Sequence, residues 1–138
     1  MPVLRTLRAA LAAAALLSVP GAAAAVDWSA LADVRVPQIF TRTEEGSLRV
    51  TKLWLVVVDG QGFVRTGDTR WFRDIERNPD VSIGAQGDSH PLRATPVTES
   101  GLRGRVNAAF RAKYGWQDRL VHPFGAGGSN ILRLDPRP

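Results

Sequence analysis

The chain has no cysteine, two histidines and one methionine in 138 residues. Without thiols there can be no disulfide, no thiolate zinc site, no iron–sulfur cluster and no cysteine nucleophile. His90 and His122 are too few and too far apart for a histidine-rich metal site. Neither lies in a recognisable nucleophile arrangement with a serine, so hydrolase chemistry finds no support. The longest apolar stretch, Ala9 to Val19 with Ser18 inside it, falls well short of the ~20 residues that cross a bilayer. Repeats and low-complexity tracts are absent beyond the first 25 residues.

What the amino terminus does contain is directional. Arg5 and Arg8 precede the apolar stretch, Pro20-Gly21 breaks it, and Ala23-Ala24-Ala25 presents the small residues that a signal peptidase reads. Residues 1–25 are therefore expected to be a Sec-type signal peptide, and residues 26–138 one domain that is periplasmic or secreted. Arg5 and Arg8 are not adjacent, so the twin-arginine signature is missing, and no cysteine is present for a lipid anchor. Without those two arginines, 16 basic residues face 13 acidic ones, a net charge of +3. The pI near 10.9 reflects arginine richness and predicts mild attraction to anionic ligands, with no nucleic-acid partner and no stable membrane anchor.

The densest information lies between Leu53 and Ile83. Leu53 to Val58 is apolar without alternation, as in a strand covered on both faces. Asp59-Gly60-Gln61-Gly62 supplies a tight hairpin loop, so Phe63 to Thr66 should return antiparallel. Thr66-Gly67-Asp68-Thr69 offers N-cap groups for a helix from Arg70 to Asn78, which Pro79 ends. Val81 to Ile83 resumes an extended pattern.

Around this run, Asp27 to Asp33 suits a short helix. Val36 to Thr43 reads as a strand beginning at an edge, with Pro37 inside it. Glu44 to Ser47 turns into a long strand at Leu48. His90 to Thr98, carrying Pro91 and Pro96, reads as a second edge strand. Leu102, Val106, Ala109 and Phe110 share one face of an amphipathic helix stopping near Gly115, and Ile131 to Leu134 forms a last strand. The expected fold is mainly β (α+β), a six-stranded antiparallel, partly open barrel with two or three short helices.

The order of Phe63, Thr69-Arg70 and Asn78-Pro79-Asp80-Val81 resembles the split-barrel flavin-binding proteins typified by pyridoxamine 5′-phosphate oxidase. Trp54 and the Val64-Arg65-Thr66-Gly67 run are similar to the small deazaflavin-dependent nitroreductase-like branch of that fold. The resemblance covers about Ile39 to Val97. It implies an FMN-type cofactor, with deazaflavin or haem as alternatives, held by Arg65, Thr66, Thr69 and Arg70. It also implies a homodimer with the ligand crevice between barrels and a possible flavin-dependent oxidoreductase activity. The family places a lysine after the hydroxyl-arginine pair, where this chain has Trp71.

Each of these residues also has a plainer reading. Arg70, Arg73 and Arg77, with Asp74 and Glu76 at helical spacing, form an exposed, ion-paired face. Trp71 and Phe72 serve as core or interface anchors. Gly125 to Ser129 is expected to be a flexible connection, since it lacks the lysine of a phosphate loop. Asp118 and His122, four residues apart, are expected to be a surface pair. An exported binding domain that has lost the flavin and holds another small molecule such as haem is the alternative to a flavin protein.

Overall fold

A computed structural model describes residues 26–121 and 129–137. The expected signal peptide, His122 and most of the Gly125 to Ser129 run lie outside the described residues.

The hairpin forms where the sequence places it. β3 (Leu55–Val58) and β4 (Gln61–Thr66) pair antiparallel, with Val58 opposite Gln61, so the loop is only Asp59-Gly60. Both loop residues take positive φ, 51° and 74°, which matches the right-handed strand twist. Gly62 plays a different part from the one expected: it is a strand residue, and the indole of Trp28 lies where a Cβ would be. Trp28 sits on α1 (Trp28–Ala32), whose Asp27 N-cap accepts from the Ala30 N–H. Any side chain at position 62 would displace that indole.

The remaining strands are β1 (Gln38–Arg42), β2 (Leu48–Lys52), β5 (Asp80–Ala85), β6 (Asp88–Pro96) and β7 (Asn130–Pro136). All seven belong to one antiparallel sheet in the order β2-β1-β5-β6-β7-β4-β3. The count corrects the expected six, because the long strand from Leu48 breaks at Leu53-Trp54. β2 and β3, neighbours in sequence, stand at opposite ends of the sheet order. The sheet must curl until its ends meet at this two-residue corner, giving a split barrel with helices around it. β7, the last strand in sequence, lies between β6 and β4.

Two strands expected at edges are internal. β1 pairs with both β2 and β5, and β6 with both β5 and β7. Proline is accommodated in β6 because the strand passes from one neighbour to the other. Pro91 faces Ser82 of β5 beyond the end of its β7 pairing, and Pro96 faces Leu132 of β7 beyond its β5 pairing. A missing N–H does no harm where only one side is occupied.

Burial explains the unalternating run. Leu55, Val64 and Leu132 point into the barrel core with Ile39, Ile83 and Leu92, whereas Val56, Phe63 and Ile131 point outward under a helix. That helix is α3 (Ser100–Tyr114), which lays Val106, Phe110 and Tyr114 on them. β3, β4 and β7 are thus covered on both faces. Full burial of a side chain such as Phe110 contributes about 1.5–3 kcal/mol. The α3 N-terminus is closed by Glu99, whose carboxylate accepts from the Gly101 and Leu102 N–H groups at 2.8 and 2.7 Å.

α2 (Arg70–Arg77) starts at Thr69, whose Oγ1 accepts from Phe72 N at 3.4 Å, and buries Trp71 and Ile75. Its polar face differs from the simple ion-paired surface expected. Asp74 is fully buried, accepting from Thr41 Oγ1 at 2.8 Å, Arg49 Nε at 2.7 Å and Arg77 Nη2 at 2.9 Å. Arg73 turns back to Asp68 in an exposed pair at 2.9 Å.

Candidate functional site

The corner at Leu53-Trp54 interrupts the ladder, and its backbone groups need other partners. Leu53 N–H donates to the Pro37 carbonyl at 3.1 Å. Leu55 N–H donates to the Tyr114 hydroxyl at 3.0 Å, and that hydroxyl donates onward to the Arg35 carbonyl at 2.8 Å. Trp54 stacks on the Tyr114 ring, 4.2 Å between centroids and 8° between planes. Lys113 Nζ donates to the carbonyls of Val34 and Leu55. Burial pushes the Lys113 ammonium pKa down and the Tyr114 phenol pKa up.

Beside this corner lies a cavity of about 350 Å³, open to solvent. Its apolar wall comprises Leu53, Trp54, Trp71 and Phe110, and its polar wall is Arg65-Thr66 at the end of β4 with Gly67 beyond it; Lys52 and Val121, the last residue of α4 (Trp116–Val121), stand at the border. A second groove, about 420 Å³, shares Val36 and Lys52 with the first and runs along Phe40 to the Gly84–Ser89 turn.

The four residues expected to hold a cofactor are divided by the fold. Arg65 and Thr66 line the cavity; Thr69 and Arg70 do not. Thr66 Oγ1 lies 3.0 Å from Thr69 Oγ1, tying the end of β4 to the cap of α2. Arg70 opens α2, exposed, with no ion-pair partner among the described residues. Arg65 is buried and turned toward α3 and α4. Its guanidinium lies over the Phe110 ring, 4.1 Å from the centroid, donates to Asn107 Oδ1 at 2.9 Å, and forms an ion pair with Asp118. Burial pushes the Arg65 pKa down, Asp118 opposes that shift, and Arg111 adds to it.

Asp118 corrects the expected surface pair with His122. It sits on α4 (Trp116–Val121), is 4 % exposed, and faces Arg65. The sequence carried little sign of this, because α4 buries its acid and exposes its apolar residues. Phe110 was visible as part of the apolar face of α3. Its second role, as a platform for the Arg65 cation, depends on a strand 45 residues earlier in the chain. The described residues contain no grouping of metal-binding side chains, and no described helix is long and apolar enough to cross a membrane.

The structure matches known split barrels. HutZ, the haem storage protein of Vibrio cholerae, superposes with a TM-score of 0.62 at 21% identity, covering 77% of this chain and 84% of that one. An FAD-binding protein from Mesorhizobium loti gives 0.60 at 15% identity, covering 81% and 88%. A candidate pyridoxamine 5′-phosphate oxidase from Listeria innocua gives 0.58 at 10% identity, covering 80% and 90%. At these identities the likeness establishes the fold, which is the pyridoxamine 5′-phosphate oxidase-like split barrel. No curated protein matches the chain in sequence. Residues 28–128 match the family described as "uncharacterized protein conserved in bacteria" (DUF2255), and the chain belongs to that family.

Proposed function

We propose that the protein binds a flavin nucleotide, FMN in the first instance, in the cavity between the Leu53-Trp54 corner and α2, α3 and α4. One observation carries this reading: a cavity walled by Trp54, Trp71 and Phe110 ends on the polar Arg65-Thr66-Gly67 segment. Aromatic walls suit a planar ring system, and the polar end suits a phosphate. A volume of about 350 Å³ is near the lower limit of ligand pockets, typically ~300–1,000 Å³. The adjoining 420 Å³ groove gives a nucleotide-length ligand room to extend. Lys52, shared by both, supplies positive charge for its phosphate.

The proposed role is that of an exported flavin carrier or flavin-dependent oxidoreductase, with the redox chemistry supplied by the bound cofactor. This chain's residues would stack the ring, hold the phosphate and exclude water. A homodimer is part of the proposal, supported by the apolar residues left exposed around the site, Val36 at 51% and Val121 at 60%. A second reading, a haem-binding domain, is favoured by the structural likeness to a haem storage protein. Deazaflavin is the remaining cofactor alternative.

The absorbance spectrum of purified protein and an FMN titration followed by fluorescence quenching test the proposal. FMN should bind the parent, and Lys52→Ala, which removes the cation that borders both the cavity and the groove, should weaken binding by roughly ten-fold to a hundred-fold through loss of a charge-assisted contact. Arg77→Ala, whose guanidinium is engaged with Asp74, should retain the parent affinity. A Soret band with no FMN binding would replace flavin by haem, and no binding of either would overturn both readings.

A further inference from the structure

α4 is built the wrong way round for a packed helix. Trp116, Leu120 and Val121 are 68%, 70% and 60% exposed, while its one buried residue is the acid Asp118. Helices of this length are held in place by burial of an apolar face, and α4 has none buried. Its described side-chain attachments are polar: Asp118 to Arg65, and Gln117 Oε1 accepting from Arg35 Nη2 at 2.9 Å. An element with little apolar burial opens at low cost relative to the whole fold. Its one buried attachment among those described is an ion pair on Arg65, a residue that also lines the cavity.

A carboxylate on a guanidinium has the charge and the two-oxygen geometry of a phosphate edge. Arg65 keeps its other supports, the Phe110 ring and Asn107, whichever anion it meets. We propose that Asp118 is a built-in counter-anion: a ligand's phosphate group replaces it on Arg65, and α4 is released in the same exchange. The inference rests on the proposed anion-binding role of this cavity. It adds a cost that only anionic ligands can repay, because a neutral ring system leaves Arg65 satisfied by Asp118. Affinity for a phosphate-bearing ligand then equals its gain on Arg65 less the loss of the Asp118 pair.

Hydrogen exchange on the full chain, with sodium pyrophosphate as probe and sodium chloride at equal ionic strength as control, reads the release directly. Pyrophosphate should speed exchange over residues 116–121 and leave residues 100–114 unchanged. A parallel titration compares FMN with riboflavin in the parent and in Asp118→Asn. The variant should bind FMN about ten-fold to a hundred-fold more tightly, and riboflavin equally. If the variant does not fold, the pyrophosphate arm on the parent decides alone. Exchange over 116–121 that is unchanged or slowed overturns the inference, even if FMN binds. Release by pyrophosphate without any FMN binding supports the exchange and removes the flavin.

Discussion

Under α2, Asp74 is gripped by Thr41, Arg49 and Arg77; under α4, Asp118 is itself the grip, reaching in to Arg65. In the first place the buried charge is the acid, and its arginines are 30% and 45% exposed and remain hydrated. In the second, acid and arginine are both buried, at 5% and 3% side-chain exposure. The helices differ in the same sense. α2 also buries Trp71 and Ile75, so Asp74 adds to an attachment that apolar packing already makes, whereas α4 has only its acid inside. The comparison teaches that an ion pair's role depends on what else holds its element: one fastens a structural corner, the other closes a detachable segment over a cavity.

The largest expected effect falls on the structural corner. Asp74→Ala leaves the buried Thr41 hydroxyl without its acceptor and two arginines without a counter-charge, and should cost about 3 kcal/mol of global stability. Urea unfolding measures it, and a loss below half that value would put the two aspartates on the same footing. Asp118→Ala should cost no more than about 2 kcal/mol, less than the ~3–5 kcal/mol of a trapped uncompensated charge, since a lifted α4 lets water reach Arg65. Its exchange signature should be confined to residues 116–121. A full-sized loss spread over the barrel would show α4 to be integral.

Tyr114→Phe locates the boundary between the rigid and detachable parts. It removes the hydroxyl that accepts from Leu55 N–H, at a cost of about 1 kcal/mol in thermal unfolding, because that buried donor loses its partner. The smallest effect is a pH dependence. Burial alone would raise the Asp74 pKa, but the hydrogen bonds from Arg49 and Thr41 and the charges of Arg49 and Arg77 outweigh it, so the net shift is downward. A depressed carboxyl stabilises the fold above its unfolded value, near ~3.9, and that contribution fades as the pH falls through the folded value. The stability gap between parent and Asp74→Asn, measured at pH 6, should therefore narrow below about pH 4.

Local chemistry made much of this architecture legible. Asp59-Gly60 specifies a two-residue turn, Thr69 specifies the start of α2, and Leu55 to Val58, the later part of the apolar run, specifies a strand covered on both faces. The errors came from tertiary placement. Pro91 and Pro96 are edge signals in sequence, yet β6 hands over from β5 to β7 between them. Leu53-Trp54 continues an extended pattern, and only closure of the sheet and the Tyr114 hydroxyl make it a corner. Arg65 and Thr66, which line the cavity, stand in the run that the motif singled out, whereas Thr69 and Arg70, read together with them, lie outside its lining. Asp118 was beyond motif reading, because an acid pointing inward from a helix with Trp116 and Leu120 outside inverts the usual pattern.

The position of β7 also bears on how the chain is made. Its residues come last in sequence yet fill the gap between β6 and β4. Until they arrive, both neighbours present unpaired strand edges of the kind that invite aggregation. Synthesis runs from the amino terminus, so a chain short of Asn130 has every hairpin partner it needs locally and still no closed sheet. Closure of the sheet must wait for β7, which makes residues 130–136 the timing element of the barrel and a poor place for a deletion.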